Sequence, residues 1–140
     1  MDGKCLCGAI TVRTSEDKKS IDACHCGMCR RWGGGPALAV SCSSDVQIDG
    51  IENLKVYKSS DWAERAFCSE CGTHIFYRLS ATNDYFLPAG LFQDRVEFEF
   101  KEQIFIDRKP SYYEFANQTL NMTEAEVFAK FASSDDNQDT

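Results

Sequence analysis

No stretch of this 140-residue chain approaches the roughly 18 or more apolar residues that a membrane-spanning helix needs. Nor does an apolar run of signal-peptide length follow Met1-Asp2-Gly3-Lys4, which leads at once into Cys5-Leu6-Cys7. The expectation is a cytoplasmic protein, with no membrane partner, in a compartment that keeps thiols reduced. An excess of positive charge is also missing. Fifteen Lys and Arg stand against 22 Asp and Glu, a formal net charge of −7. Such a balance repels a phosphate backbone and argues against nucleic acid as a partner. Some of that charge is local, since Asp135, Asp136 and Asp139 crowd the end of the chain with no base among them. There is no internal repeat, and no linker is long enough to separate domains. We expect one domain over residues 1–132, followed by a disordered acidic tail over 133–140. Gly33-Gly34-Gly35 lacks the flanking strand, helix and lysine of a phosphate loop, so it reads as a flexible loop.

What is present is a core and many strands. Hydrophobic residues make up 43% of the chain, with ten Phe and five Tyr, enough to fold without covalent staples. Alternating β-branched residues predict strands over Cys7–Arg13, Asp45–Asp49 and Leu54–Tyr57. Ala37–Cys42, His74–Leu79, Tyr85–Leu87, Val96–Phe100 and Gln103–Ile106 read the same way by length or aromatic content. One helix is signalled. Thr123 and Glu126 form a capping box, after which Val127, Phe128 and Phe131 share a face that should pack on the β body. The fold class is therefore mainly β with a short C-terminal helix.

Eight cysteines in a reduced compartment call for metal rather than disulfides. Seven fall into three clusters: Cys5-x-Cys7, Cys24-His25-Cys26-x-x-Cys29 and Cys68-x-x-Cys71. Two close pairs separated by a long insert are the pattern of a four-thiolate zinc site. Gly8 and Gly72 each follow the second cysteine of a pair, where glycine lets the backbone turn tightly around a metal. These matching endings pair Cys5 and Cys7 with Cys68 and Cys71 as ligands of a structural zinc.

Cys24, Cys26 and Cys29 then remain. Three protein ligands and one open position are how catalytic zinc sites are built, since the vacant place takes water or substrate. In an extended stretch Cys24 and Cys26 project to one side and His25 to the other. Arg30 and Arg31 follow, and their charge favours thiolates and can hold an anionic ligand. Two alternatives stay open: a second closed site with Cys42 as fourth ligand, and a thiol redox cluster. His25 reads as a hydrogen-bonded residue at the surface or behind the ligands, His74 as a satisfied strand histidine, and Cys42 as a small buried hydrophobe. Trp32 and Trp62 can line a pocket but are read as core.

These three motifs, with Tyr57-Lys58-Ser59-Ser60 and Lys109-Pro110-Ser111-Tyr112-Tyr113, resemble the glutathione-dependent formaldehyde-activating enzyme family over residues 3 to 115. The resemblance implies a β-tent fold of stacked antiparallel sheets around a structural zinc held by Cys5, Cys7, Cys68 and Cys71. It implies a catalytic zinc on Cys24, Cys26 and Cys29, hence two Zn2+ per chain. The activity implied is of the carbon–sulfur lyase type, joining glutathione and formaldehyde as S-hydroxymethylglutathione, with Arg30 or Arg31 on a substrate carboxylate. The same fold serves a small zinc chaperone of Rab-type GTPases. A non-catalytic zinc scaffold that binds a protein partner is therefore the competing function, beside the redox reading.

Overall fold

Short strands, several of them rich in β-branched and aromatic residues, are the main regular structure of this chain. The computed structural model describes residues 1–94 and 97–138, and the backbone alone for 133–138. In chain order the first half runs β1 (Asp2–Lys4), β2 (Thr11–Arg13), β3 (Ser20–Cys24), α1 (Gly27–Gly33), β4 (Ala37–Ser43), β5 (Gln47–Asp49) and β6 (Leu54–Lys58). The second half runs β7 (Ala63–Cys68), β8 (His74–Leu79), β9 (Asp84–Pro88), β10 (Glu99–Ile104), β11 (Leu120–Met122) and α2 (Glu124–Gln138). The backbone groups into two compact units within the span read from sequence as one domain. One comprises Met1–Ile21 and Ala39–Glu99, the other Asp22–Leu38 and Phe100–Thr140.

In the first unit β1, β2 and β5 form a three-stranded antiparallel sheet, with Val12 opposite both Gly3 and Ile48. Four antiparallel pairings join β4 to β9, β9 to β8, β8 to β7 and β7 to β6. Their inward side chains and those of the smaller sheet make one core, in which Ile10, Val40, Ile75, Leu87 and Phe92 are fully buried. Cys5 and Cys68 belong to that core, so their sulfurs are set by apolar packing as well as by the turns around them. Cys42 is 1% exposed, with its thiol toward the Val40 carbonyl, and is the small buried hydrophobe expected. His74 likewise sits in strand β8, where burial and then the Arg65 charge push its pKa down.

In the second unit β10 lies between β3 and β11, and its pairing with β11 is parallel, a departure from an all-antiparallel pattern. The Thr123–Glu126 capping box forms as expected. The Glu126 amide donates to Thr123 Oγ1 at 3.2 Å, and the Thr123 amide donates to Glu126 Oε1 at 3.1 Å. The helix it starts buries Val127, while Phe128 and Phe131 are 53% and 41% exposed. The expected packing of the phenylalanines is met in part: Phe128 meets Phe105 edge to face, and both side chains stay partly exposed. Among the described residues no helix is long and apolar enough to cross a membrane. The expected disordered tail over 133–140 falls on side chains outside the described residues, as does Val96 of the predicted strand Val96–Phe100.

Candidate metal centres

The two outer cysteine pairs meet in the first unit. Cys5 follows β1 and Cys68 ends β7, and each opens a tight turn. Gly8 closes the first by donating its amide to the Cys5 carbonyl at 3.1 Å, and Gly72 closes the second onto the Cys68 carbonyl at 2.8 Å. Their φ angles, 81° and 79°, lie in the left-handed region that glycine occupies freely. The turns are tied together where the Leu6 amide donates to Thr73 Oγ1 at 3.0 Å.

The resulting sulfur spacing fits a metal. All four Sγ atoms lie within 4.8 Å of one another, with Cys5–Cys7 at 3.7 Å and Cys7–Cys68 at 3.8 Å. A tetrahedron with arms of about 2.3 Å has edges of about 3.8 Å, so these two edges match those of a zinc tetrathiolate. A disulfide would require about 2.05 Å, and every cysteine is free. Donors around the cage favour thiolates unevenly. The Thr73 hydroxyl and amide, with the Cys7 amide, bring Cys71 down to about 5. Cys7 feels the Ala9 amide pulling it down, but desolvation and the neighbouring sulfurs push it up to about 12. A divalent cation would ease that competition by attracting all four sulfurs as thiolates.

Cys24, Cys26 and Cys29 meet in the second unit, again within 4.8 Å of one another and all half-buried. Cys24 ends β3, and Cys26 caps α1, its sulfur accepting the Cys29 amide at 3.3 Å. The chain is extended through Cys26 and helical from Gly27, so the loop expected at Gly33–Gly35 is preceded by a helix that ends in a left-handed Gly34. The Cys24 and Cys29 thiols, then the Cys29 and Met28 amides, favour a thiolate at Cys26 and bring it down to about 2. The same neighbours, with burial, push Cys24 up. The trio thus favours negative charge at Cys26 over Cys24. Among the described residues no further His, Cys, Asp or Glu joins the three, and Cys42 belongs to neither cluster.

Three residues stand beside this second cluster. His25 is fully buried, with Nδ1 2.6 Å from Tyr113 Oη and Nε2 2.8 Å from Gln103 Oε1. It is therefore not a surface residue, and it is not grouped with the sulfurs. Arg30 turns its Nε onto the His25 carbonyl at 2.9 Å, and Arg31 is exposed. Trp32 is half-buried and Trp62 is 54% exposed, against the expectation that both are core. Gln103 and Tyr113 were not singled out from sequence as partners of this site, because nothing local marks residues 78 and 88 positions away from their histidine.

A mainly β protein with a four-cysteine and a three-cysteine cluster, both spaced to hold metal, is the class these features define. The chain belongs to the family described as glutathione-dependent formaldehyde-activating enzyme, whose model matches residues 1–108. It is 39% identical over 127 residues to an uncharacterized lyase of Schizosaccharomyces pombe, covering 90% of this chain and 93% of that protein. It also resembles the crystal structure of a Rhodobacter sphaeroides protein, with a TM-score of 0.56 and 26% identity, covering 72% of this chain and all of that one.

Proposed function

We propose that this chain is a zinc-dependent enzyme of the carbon–sulfur lyase type, acting on the adduct of a small thiol and an aldehyde. Glutathione and formaldehyde, exchanging with S-hydroxymethylglutathione, are the substrates the family description favours. The observation that carries the reading is the three-sulfur cluster of Cys24, Cys26 and Cys29, which no fourth protein ligand closes among the described residues. Cys5, Cys7, Cys68 and Cys71 hold a structural zinc, and free thiols in both clusters require a compartment that keeps them reduced, such as the cytoplasm.

In the lyase direction the adduct's C–S bond breaks with its electron pair left on sulfur, while the O–H electrons complete the carbonyl and the hydroxyl proton passes to water. Zinc held by Cys24, Cys26 and Cys29 would supply a Lewis acid that favours the departing sulfur as thiolate. The chain's own contribution is placement. Cys26, fixed as the cap of α1, and Cys29, one turn in, hold their sulfurs at a set distance from Cys24. Arg31, and the terminal nitrogens of Arg30, supply planar donors for a substrate carboxylate. Exchange between free formaldehyde, glutathione and the adduct, followed by NMR, tests the reading. Zinc-loaded protein speeds the exchange, and a Cys26→Ser variant does not; equal exchange with and without protein refutes the named reaction.

A second reading, a zinc scaffold for a protein partner, is favoured by apolar side chains left in solvent. Leu6 is 88% exposed, Ile51 66% and Tyr57 56%. That reading predicts one tightly held zinc and no thiol-dependent activity.

A further inference from the structure

His25 has every polar group it possesses engaged, although it lies fully buried between two of the cluster's cysteines. Its amide donates to the Ile104 carbonyl at 3.1 Å and its carbonyl accepts Arg30 Nε at 2.9 Å. The ring is held at both nitrogens as well. Gln103 turns its Nε2 to Thr119 Oγ1 at 2.9 Å, and Thr119 donates in turn to Asn121 Oδ1 at 2.7 Å. Gln103 therefore presents its oxygen to His25, which must donate from Nε2, 2.8 Å away. Nδ1 is left as an acceptor, and Tyr113 Oη donates to it across 2.6 Å. The donors all run one way, from Tyr113 through His25 and Gln103 to Thr119 and Asn121.

Tyr113 is itself pinned. Lys109 Nζ donates to the Tyr113 carbonyl at 2.6 Å and sits 5.3 Å from the centre of its ring, and that ring stacks on His25 with centroids 5.5 Å apart. Such an outlay on one side chain is unneeded for core packing, which an apolar side chain of equal volume would satisfy without burying two ring nitrogens. What the arrangement does fix is the backbone on which Cys24 and Cys26 are carried.

We propose that His25 is a positioning residue for the three-sulfur cluster, locked in one tautomer by Gln103 and Tyr113 so that Cys24 and Cys26 are preset to receive a metal. The inference rests on the proposed second metal site. It assigns Gln103, Tyr113 and Thr119 to the support of that site, and it gives Arg30 a structural duty through the His25 carbonyl. Groups that hold a metal's ligands in orientation typically contribute about 10–100-fold in affinity.

The test uses full-length protein loaded with cobalt(II) in place of zinc. Thiolate-to-cobalt absorption is titrated against a competing chelator, so that each cluster reports its own affinity. Tyr113→Phe, which removes one hydroxyl, and Gln103→Ala are expected to weaken the second metal about 10-fold or more and leave the first unchanged. Gln103→Glu keeps an oxygen acceptor for Nε2 and should restore most of the affinity. His25→Ala should lose the second metal altogether; where it fails to fold, the other three variants decide the matter. Two metals in every variant with the wild-type affinity and spectrum, whatever the change in melting temperature, would overturn the inference alone. One metal in the wild type would overturn both it and the functional reading.

Discussion

The Leu6 amide donates to the Thr73 hydroxyl at 3.0 Å, joining two turns 67 residues apart in the chain. The same oxygen lies 3.2 Å from Cys71 Sγ. One side chain thus ties the halves of the four-sulfur cage and supports one of its thiolates. Thr73→Val keeps the shape and removes both contacts. It should cost about 1–2 kcal/mol, seen as a lower melting temperature and faster loss of the tighter metal to a chelator. An unchanged rate of loss would show that the cage stands without the tie.

Backbone strain makes a separate prediction at the same cage. Gly72 has φ 79° and nothing within 4 Å of where a Cβ would sit, so Gly72→Ala meets no clash. Its cost is conformational alone, about 1–2 kcal/mol. Gly90→Ala, equally open but without a positive φ, serves as the control and should stay within about 0.5 kcal/mol. Equal melting temperatures for the two variants would contradict the assignment of strain to Gly72.

Acid sensitivity has a specific origin in Asp45. The Ser15 amide at 2.8 Å, Lys18 Nζ at 2.9 Å and the Glu16 amide at 3.2 Å hold its carboxyl well below the usual carboxylate range. The folded protein therefore binds this proton less tightly than the unfolded chain, where Asp titrates near about 3.9. The stabilisation is complete above that value and is lost as pH falls below it. Denaturant melts should show wild type more stable than Asp45→Asn at neutral pH, with the gap closing on acidification. A gap that widens in acid would reverse the sign and refute the account.

The two cysteine clusters should differ in what they support. Cys71→Ser opens a cage built into the core beside Cys5 and Cys68 and should abolish cooperative folding. Cys26→Ser should lose one metal and keep a folded first unit, as read by near-ultraviolet circular dichroism and metal content. Equal collapse of both variants would make the second cluster structural.

Much of this was legible in the chain, and the rest was hidden for physical reasons. Cysteine spacing announced both clusters, and strand β8 runs His74–Leu79 as its aromatic pattern predicted. Helix α1 gave no signal: a cysteine caps it, glycines bound it, and it has seven residues. Strand β7 was masked by Glu64 and Arg65, yet Arg65 is buried over the Tyr77 ring at 4.8 Å. Strands β1 and β11 are three residues long, too short for any alternation to show. The mounting of His25 depends on partners from other segments, which no local pattern encodes.

Metal stoichiometry with exchange kinetics tests the central claim most directly. Protein purified under reducing conditions should contain two zinc ions per chain, with no disulfide. One ion, on three sulfurs, should pass to a chelator much faster than the other, on four. A single zinc, or two that leave at the same rate, would contradict a closed cage standing beside an open site.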